Sequence, residues 1–190
     1  MKVTVNDIFK VAVFEVHLDR DVSALTKIAL SQKENSPQGR KLSNQGGWQS
    51  DDIGLLGGEF DLLFQDLTIL VSSVSGFLDY PSVTLENAWL NINGHMDFNW
   101  DHTHPGSTLS GVYYIKVPPN SGDIKFVNPA AEGTGQFRTS NFSSYNASTW
   151  SFKPEENVVY LFPSWLRHRV LPNLNTEQQR ISLAFNCNQQ

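Results

Sequence analysis

Residues 100–115 read WDHTHPGSTLSGVYYI. From Leu109 onward Val, Ile and Tyr dominate, the composition of a strand that packs into a sheet. Ahead of it stand two of the five histidines, His102 and His104, with one residue between them. Side chains two apart in extended chain face the same way, so two imidazoles are presented together and can grip one metal ion. Outward from this stretch the pattern repeats. Strands are expected over 82–92, 95–102, 108–117, 122–128, 157–163, 168–173 and 180–186. Turn residues separate most of them: Asn93-Gly94, Pro118-Pro119-Asn120, Ser121-Gly122, Pro154 and Pro172-Asn173. Many short strands punctuated in this way argue an antiparallel sandwich or barrel.

The first 80 residues differ. Residues 8–18 alternate and predict a strand, and residues 20–35 a short helix with Asp21 as its N-cap. Residues 36–50 are loop by composition. Over 58–78, Phe60, Leu63, Phe64, Leu67, Leu70, Val71, Val74, Phe77 and Leu78 recur at three- and four-residue steps, the mark of a helix with one apolar face. Such a face needs an apolar partner, and a sheet is the obvious one. The polar stretch 129–152 reads as a long loop of the kind that often frames a site, and 36–54 is expected to frame it too. The expected fold is mainly β with flanking α: one domain over 1–190, with an N-terminal strand and helices over 1–80 and an antiparallel sandwich or barrel over 81–190.

Composition excludes several functions. The chain has 190 residues, a formal net charge of -5 and 17% charged residues, so it lacks the clustered cations of a nucleic-acid groove; a local patch at Arg167 and Arg169 is the exception. No apolar run reaches the roughly 18 residues expected of a bilayer-spanning segment, and charges interrupt the first 18 residues where a signal peptide would be apolar. The lone Cys187 has no internal disulfide partner, which fits a reducing compartment and an expected cytoplasmic location. Oligomeric state is not legible, and a homodimer is one arrangement that composition allows.

A metal ion needs more than two imidazoles. His168 opens a late strand after an apolar run and is the natural third ligand. In RISLAFN (180–186), Ile181, Leu183 and Phe185 alternate with Arg180, Ser182 and Ala184. If the apolar set packs, Arg180 and Ser182 share the other face. An arginine inside a barrel calls for an anion, and a dicarboxylate meets a guanidinium through paired hydrogen bonds. A rival ligand pair exists in His95-Met96-Asp97, placed second because it follows the Asn93-Gly94 turn and stands far from the tyrosine-rich strand. Asp101 neighbours His102 and should point away from the metal. Trp48, Trp89 and Trp165 read as core or rim aromatics; Asn91 and Asn93 share a face with Trp89 from which they could reach the pocket, exposed strand polarity being the simpler account.

Taken together, HTHP (102–105), SGVYYIKVP (110–118), FPSWLRHRV (162–170), RISLAFN (180–186) and GGWQS (46–50) resemble an uncharacterised bacterial and phage branch of the iron(II)- and 2-oxoglutarate-dependent oxygenases. GDIKFVNP (122–129) is similar to the hairpin strand of their prolyl-hydroxylase-like members. The resemblance implies a double-stranded β-helix of the jelly-roll, cupin-like kind. It implies Fe(II) on His102, His104 and His168, and 2-oxoglutarate as cosubstrate held by Arg180 and Ser182. It also implies a role for Tyr114, the second tyrosine of its strand, at the cosubstrate carboxylate, although strand tyrosines commonly serve packing alone. One departure stands out: the family's usual pattern is His-x-Asp/Glu, and His104 occupies the carboxylate position. Three neutral imidazoles leave the site one unit more positive than two histidines and a carboxylate, and three-histidine iron sites occur in cupin-type dioxygenases.

The expected activity is hydroxylation of a C–H bond of a small-molecule or peptide substrate by O2, with the metal and cosubstrate carrying the hard chemistry. His102, His104, His168 and Arg180 are the expected catalytic residues. The alternatives are a three-histidine dioxygenase that uses no 2-oxoglutarate, with Arg180 on a substrate carboxylate, and a non-catalytic barrel that binds a metal, an organic acid or a peptide. Metal binding by imidazole is expected to weaken below about pH 6, where free histidine takes up a proton.

Overall fold

A computed structural model describes residues 1–54, 57–130 and 140–190. The chain runs β1 (Phe14–His17), α1 (Ser23–Asn35), β2 (Asn44–Gln45), β3 (Trp48–Gln49), α2 (Glu59–Phe77), β4 (Val83–Asn93), β5 (Phe98–His102), β6 (Leu109–Lys116), β7 (Ile124–Val127), β8 (Thr149–Phe152), β9 (Val158–Pro163), β10 (His168–Val170) and β11 (Arg180–Gln189). A larger sheet has the order β1-β9-β6-β11-β4-β3 and a smaller one β2-β5-β10-β7-β8. Every pairing among these strands is antiparallel. The mainly-β class with flanking helices is the one expected.

Strand alternation sorts the residues into two cores. On β4, Ala88, Leu90 and Ile92 are fully buried against the helices, with Leu183 and Phe185 of β11 beside them. From α2, Phe60, Leu63, Leu67, Val71 and Val74 fill that layer, each large side chain contributing about 1.5–3 kcal/mol through area removed from water. By length and mean composition α2 could also pass for a membrane span, although Asp61, Gln65, Asp66 and Ser72 interrupt its apolar run; in this fold its buried face covers the larger sheet. Phe77 leaves the expected stripe: it is 76% exposed and meets the edge of Phe14, at 5.5 Å between ring centroids. A second core lies between the sheets, where Val112, Tyr114, Tyr160 and Phe162 of the larger meet Ile124 and Phe126 of the smaller.

Four local expectations need correction. Residues 8–13 do not join the first strand, because β9 has partners only for Phe14–His17. The N-cap of α1 is Val22, while Asp21 accepts the Ser23 N–H at 2.9 Å from just outside the helix. The supposed loop at 36–50 contributes β2 and β3, which pair with β5 and β4. The stretch 129–152 ends in β8, paired with β7, and its residues 131–139 lie outside the described ones.

Candidate active site

The faces of β4 and β11 turned toward the smaller sheet carry polar side chains, and that of β6 adds Tyr114. Register places Arg180 opposite Asn93, and Ser182 between Asn91 and Tyr114. From the other sheet, His102 and His168 are direct partners across β5 and β10. All of these line one inner cavity together with His104. His104 lies beyond the end of β5, where its backbone N–H donates to the Ser164 carbonyl at 2.9 Å. Extended chain there keeps it on the side of His102, as a two-residue step requires.

One ring nitrogen from each of His102, His104 and His168 falls within 4.8 Å of the others. The Nδ1–H of His102 donates to the Trp100 carbonyl at 2.7 Å, and that of His168 to the Leu166 carbonyl at 2.9 Å. A carbonyl only accepts, so both rings are fixed with the Nε2 lone pair free, the arrangement that orients metal-binding imidazoles. Nε2 of His104 and of His168 are 3.3 Å apart. Two adjacent ligands on one metal at about 2.1 Å each sit about 3 Å apart, so this spacing suits a shared ion. Trp89 stacks on His104 with ring centroids 5.8 Å apart, and so contacts the site instead of serving only as a rim aromatic.

Burial holds all three imidazoles neutral. Desolvation lowers His102, opposed by its bond to the Trp100 carbonyl. It takes His104 down to about 4, with further repulsion from His102. It takes His168 down to about 3, because that ring packs against Phe162 and Phe126. Proton competition should therefore begin well below the pH 6 expected from free histidine. For the metal-free protein the sign is also fixed. Below about pH 6.5 the unfolded chain takes up protons that the folded chain refuses, so stability falls as pH drops from about 6.5 towards about 3. Thermal unfolding of metal-free protein across that range should show the loss, and His168→Gln should flatten it; an equal slope in both proteins would contradict neutral burial.

At the other end of the cavity Arg180 is 1% exposed. Its Nη1 donates to the carbonyls of Ser121, Gly122 and Leu171, which aim the guanidinium. Three buried polar atoms have no partner among the described residues: Arg180 Nη2, the Tyr114 hydroxyl and Ser121 Oγ. Buried polar groups are almost always satisfied, so three orphans in one region describe a cradle for an anion. Neighbouring Tyr113 makes the contrast. It faces the helices, and its hydroxyl donates to Asn157 Oδ1 at 2.6 Å. Burial raises the Tyr114 phenol above its ordinary value, so it stays a neutral donor.

Gly122 shapes this cradle. Its φ is +80°, and a Cβ there would sit 2.3 Å from the Leu171 oxygen and 2.5 Å from the Pro172 oxygen. Gly122→Ala should cost about 2–4 kcal/mol from left-handed strain plus overpacking, and it should also displace the carbonyls that aim Arg180. Chemical denaturation measures the first effect and anion titration the second.

The rival pair does not join the cluster. His95 is exposed, Met96 has a φ of +66°, and Asp97 Oδ2 accepts the Gly94 N–H at 2.7 Å, so this segment is a turn. Asp101 points outward, as expected, and pairs with Arg169 at 3.1 Å, which removes half of the supposed basic patch. Asn91 and Asn93 are not exposed polarity: they are 8% and 2% exposed and line the cavity. Ser121 is legible in the sequence only as a turn residue. Outside the histidines opens a cleft of about 860 Å³ walled by Trp89, Trp100, Arg40, Asn87 and Asn186; part of 36–54 frames it, as expected.

Residues 87–186 match the family described as "Putative 2OG-Fe(II) oxygenase". No curated protein matches the chain in sequence. Among solved structures it is similar to a Pseudomonas putida prolyl-4-hydroxylase, with a TM-score of 0.69, 14% identity, and 95% of this chain and 94% of that one covered. A viral collagen prolyl hydroxylase from Paramecium bursaria Chlorella virus-1, in its 2-oxoglutarate complex, has a TM-score of 0.63 at 11% identity, with 94% and 96% covered. HygX from Streptomyces hygroscopicus, with nickel and 2-oxoglutarate bound, has 0.62 at 12% identity, with 94% and 83% covered. At such identities the likeness is one of fold, a double-stranded β-helix.

Proposed function

Because the chain belongs to the family of 2-oxoglutarate- and iron(II)-dependent oxygenases, we propose that it is a 2-oxoglutarate-dependent hydroxylase. His102, His104 and His168 hold Fe(II), and Arg180, Ser182, Tyr114 and Ser121 hold the far carboxylate of the cosubstrate. The observation that carries this reading is the pair of orphaned donors, Arg180 Nη2 and the Tyr114 hydroxyl, lining a cavity that three converging imidazoles also line. A dicarboxylate spanning the two satisfies both.

When bound, iron(II) and 2-oxoglutarate supply the oxygen activation that turns C–H into C–OH, one atom of O2 entering the product and the other the succinate formed with CO2. The chain supplies placement. The Trp100 and Leu166 carbonyls hold two ligand rings in one tautomer. Three backbone carbonyls fix Arg180 so that it offers Nη2 to a carboxylate without reorganising. The buried Val112, Tyr160 and Phe162 pack beside the inner space and lower its polarisability towards charge, which strengthens the charge pairing. The substrate occupies the outer cleft, whose volume of about 860 Å³ suits a peptide segment or a multi-ring small molecule.

Anaerobic addition of Fe(II) and 2-oxoglutarate should give the visible metal-to-ligand charge-transfer band of a chelated 2-oxo acid. Oxygen should then release succinate. Metal binding with no band and no succinate would replace this reading with a three-histidine dioxygenase that needs no cosubstrate, or with a plain binding barrel.

A further inference from the structure

We propose that 2-oxoglutarate supplies the negative charge that this metal centre itself lacks, so that divalent metal and cosubstrate bind as one strongly coupled unit whose coupling is set by His104. The inference rests on the site assignment above and goes beyond it. Two histidines and a carboxylate would remove one unit of charge from a divalent ion; three imidazoles remove none. Among the described residues, no Asp or Glu lines the inner cavity. Of the nearby acids, Asp101 pairs with Arg169 on the outer face, and Asp97, which accepts the Gly94 N–H, favours the Arg180 charge only through space and without an ion pair. The cavity does contain Arg180, which forms no ion pair among the described residues and keeps an orphaned Nη2. Metal alone therefore adds a second cation to an inner cavity that already holds one with no ion-pair partner among the described residues. Charges buried without a partner are strongly disfavoured. A dicarboxylate places one carboxylate at each cation, and each ligand removes what opposes the other.

Coupling of this kind is reciprocal: the factor by which cosubstrate raises metal affinity equals the factor by which metal raises cosubstrate affinity. Manganese(II) and 2-oxoglutarate serve as probes, titrated under nitrogen singly and each in the presence of the other. Wild type should show a factor of roughly 100 in both directions, the upper part of the usual range. His104→Asp brings the missing charge, so manganese alone should bind more tightly and the factor should fall to about 10 or less. His104→Asn, equal in size to Asp and neutral, should keep the coupling high. A wild-type factor below about 5, or equal factors in the Asp and Asn variants, would overturn the inference. If neither variant folds, the wild-type factor decides alone. The site reading fails differently: manganese or 2-oxoglutarate would then not bind under any of these conditions, and the inference would fall with it.

Discussion

His168→Ala is expected to abolish metal binding and turnover while leaving the chain folded. The residue sits at the centre of the smaller sheet, paired with His102 on one side and Phe126 on the other. Its ring is held by the Leu166 carbonyl. Loss of an outer partner of a metal ligand commonly costs 10–100-fold in affinity, so loss of the ligand itself should cost more than about 100-fold. Two imidazoles from His102 and His104 leave Fe(II) or Mn(II), the weaker binders among divalent first-row metals, with too few ligands for tight binding. Metal titration followed by spectroscopy measures this, with His95→Ala as the silent control because His95 is exposed in a turn. Should His95→Ala or Asp97→Ala release the metal and His168→Ala retain it, the three-histidine ligand set is wrong and the metal belongs to the turn.

Arg180→Ala is expected to weaken 2-oxoglutarate by roughly 30-fold or more. Deleting one partner of a buried charge-assisted pair costs about 2–5 kcal/mol, and each 1.4 kcal/mol is tenfold. Arg180→Lys should recover only part of this. An ammonium offers a point charge in place of a planar fork, and it cannot donate both to the Ser121 carbonyl and to a carboxylate in the geometry that Nη1 and Nη2 provide. Ser182→Ala and Ser121→Ala should each cost about 1 kcal/mol, the value of one neutral hydrogen bond. Calorimetric titration under nitrogen separates these cases, with metal affinity measured first without cosubstrate, since Arg180 does not reach the imidazoles' end of the cavity as a ligand. Unchanged 2-oxoglutarate affinity in Arg180→Ala would sink the cosubstrate assignment.

Long strands and the apolar helix are legible in the sequence because each carries its own period. β4, β6, β9 and β11 are read from alternation or continuous apolar runs, and α2 from its three- and four-residue steps. β2 and β3 are not, because two residues have no period; their partners β5 and β4 define them. β8 is hidden in a polar stretch because an edge strand with Trp150 and Ser151 facing solvent needs little apolar character. The polar alternation of Asn87, Trp89, Asn91 and Asn93 is visible, but periodicity says only that two faces differ. Here both faces are enclosed: the helices cover Ala88, Leu90 and Ile92, and the second sheet covers the polar face. Arg180 is the informative exception, since a charge amid alternating apolar residues demands an explanation wherever it points. Ser121 carries no signal of its own. Its importance comes from a carbonyl and a hydroxyl placed beside a guanidinium by a turn made elsewhere in the fold.

β11 lies between β4 and β6, and its last pairings join Gln189 to Val83 and Cys187 to Leu109. The centre of the larger sheet is thus filled by the strand that leaves the ribosome after all the others described. Until residue 189 has emerged, β4 and β6 each present an unpaired edge beside Leu90, Ile92, Tyr113 and Ile115, and the nascent chain is exposed to mispairing. Pairing partners so distant in sequence also make folding slow. The same strand brings Arg180 and Ser182, so one late strand completes both the sheet and the anion cradle.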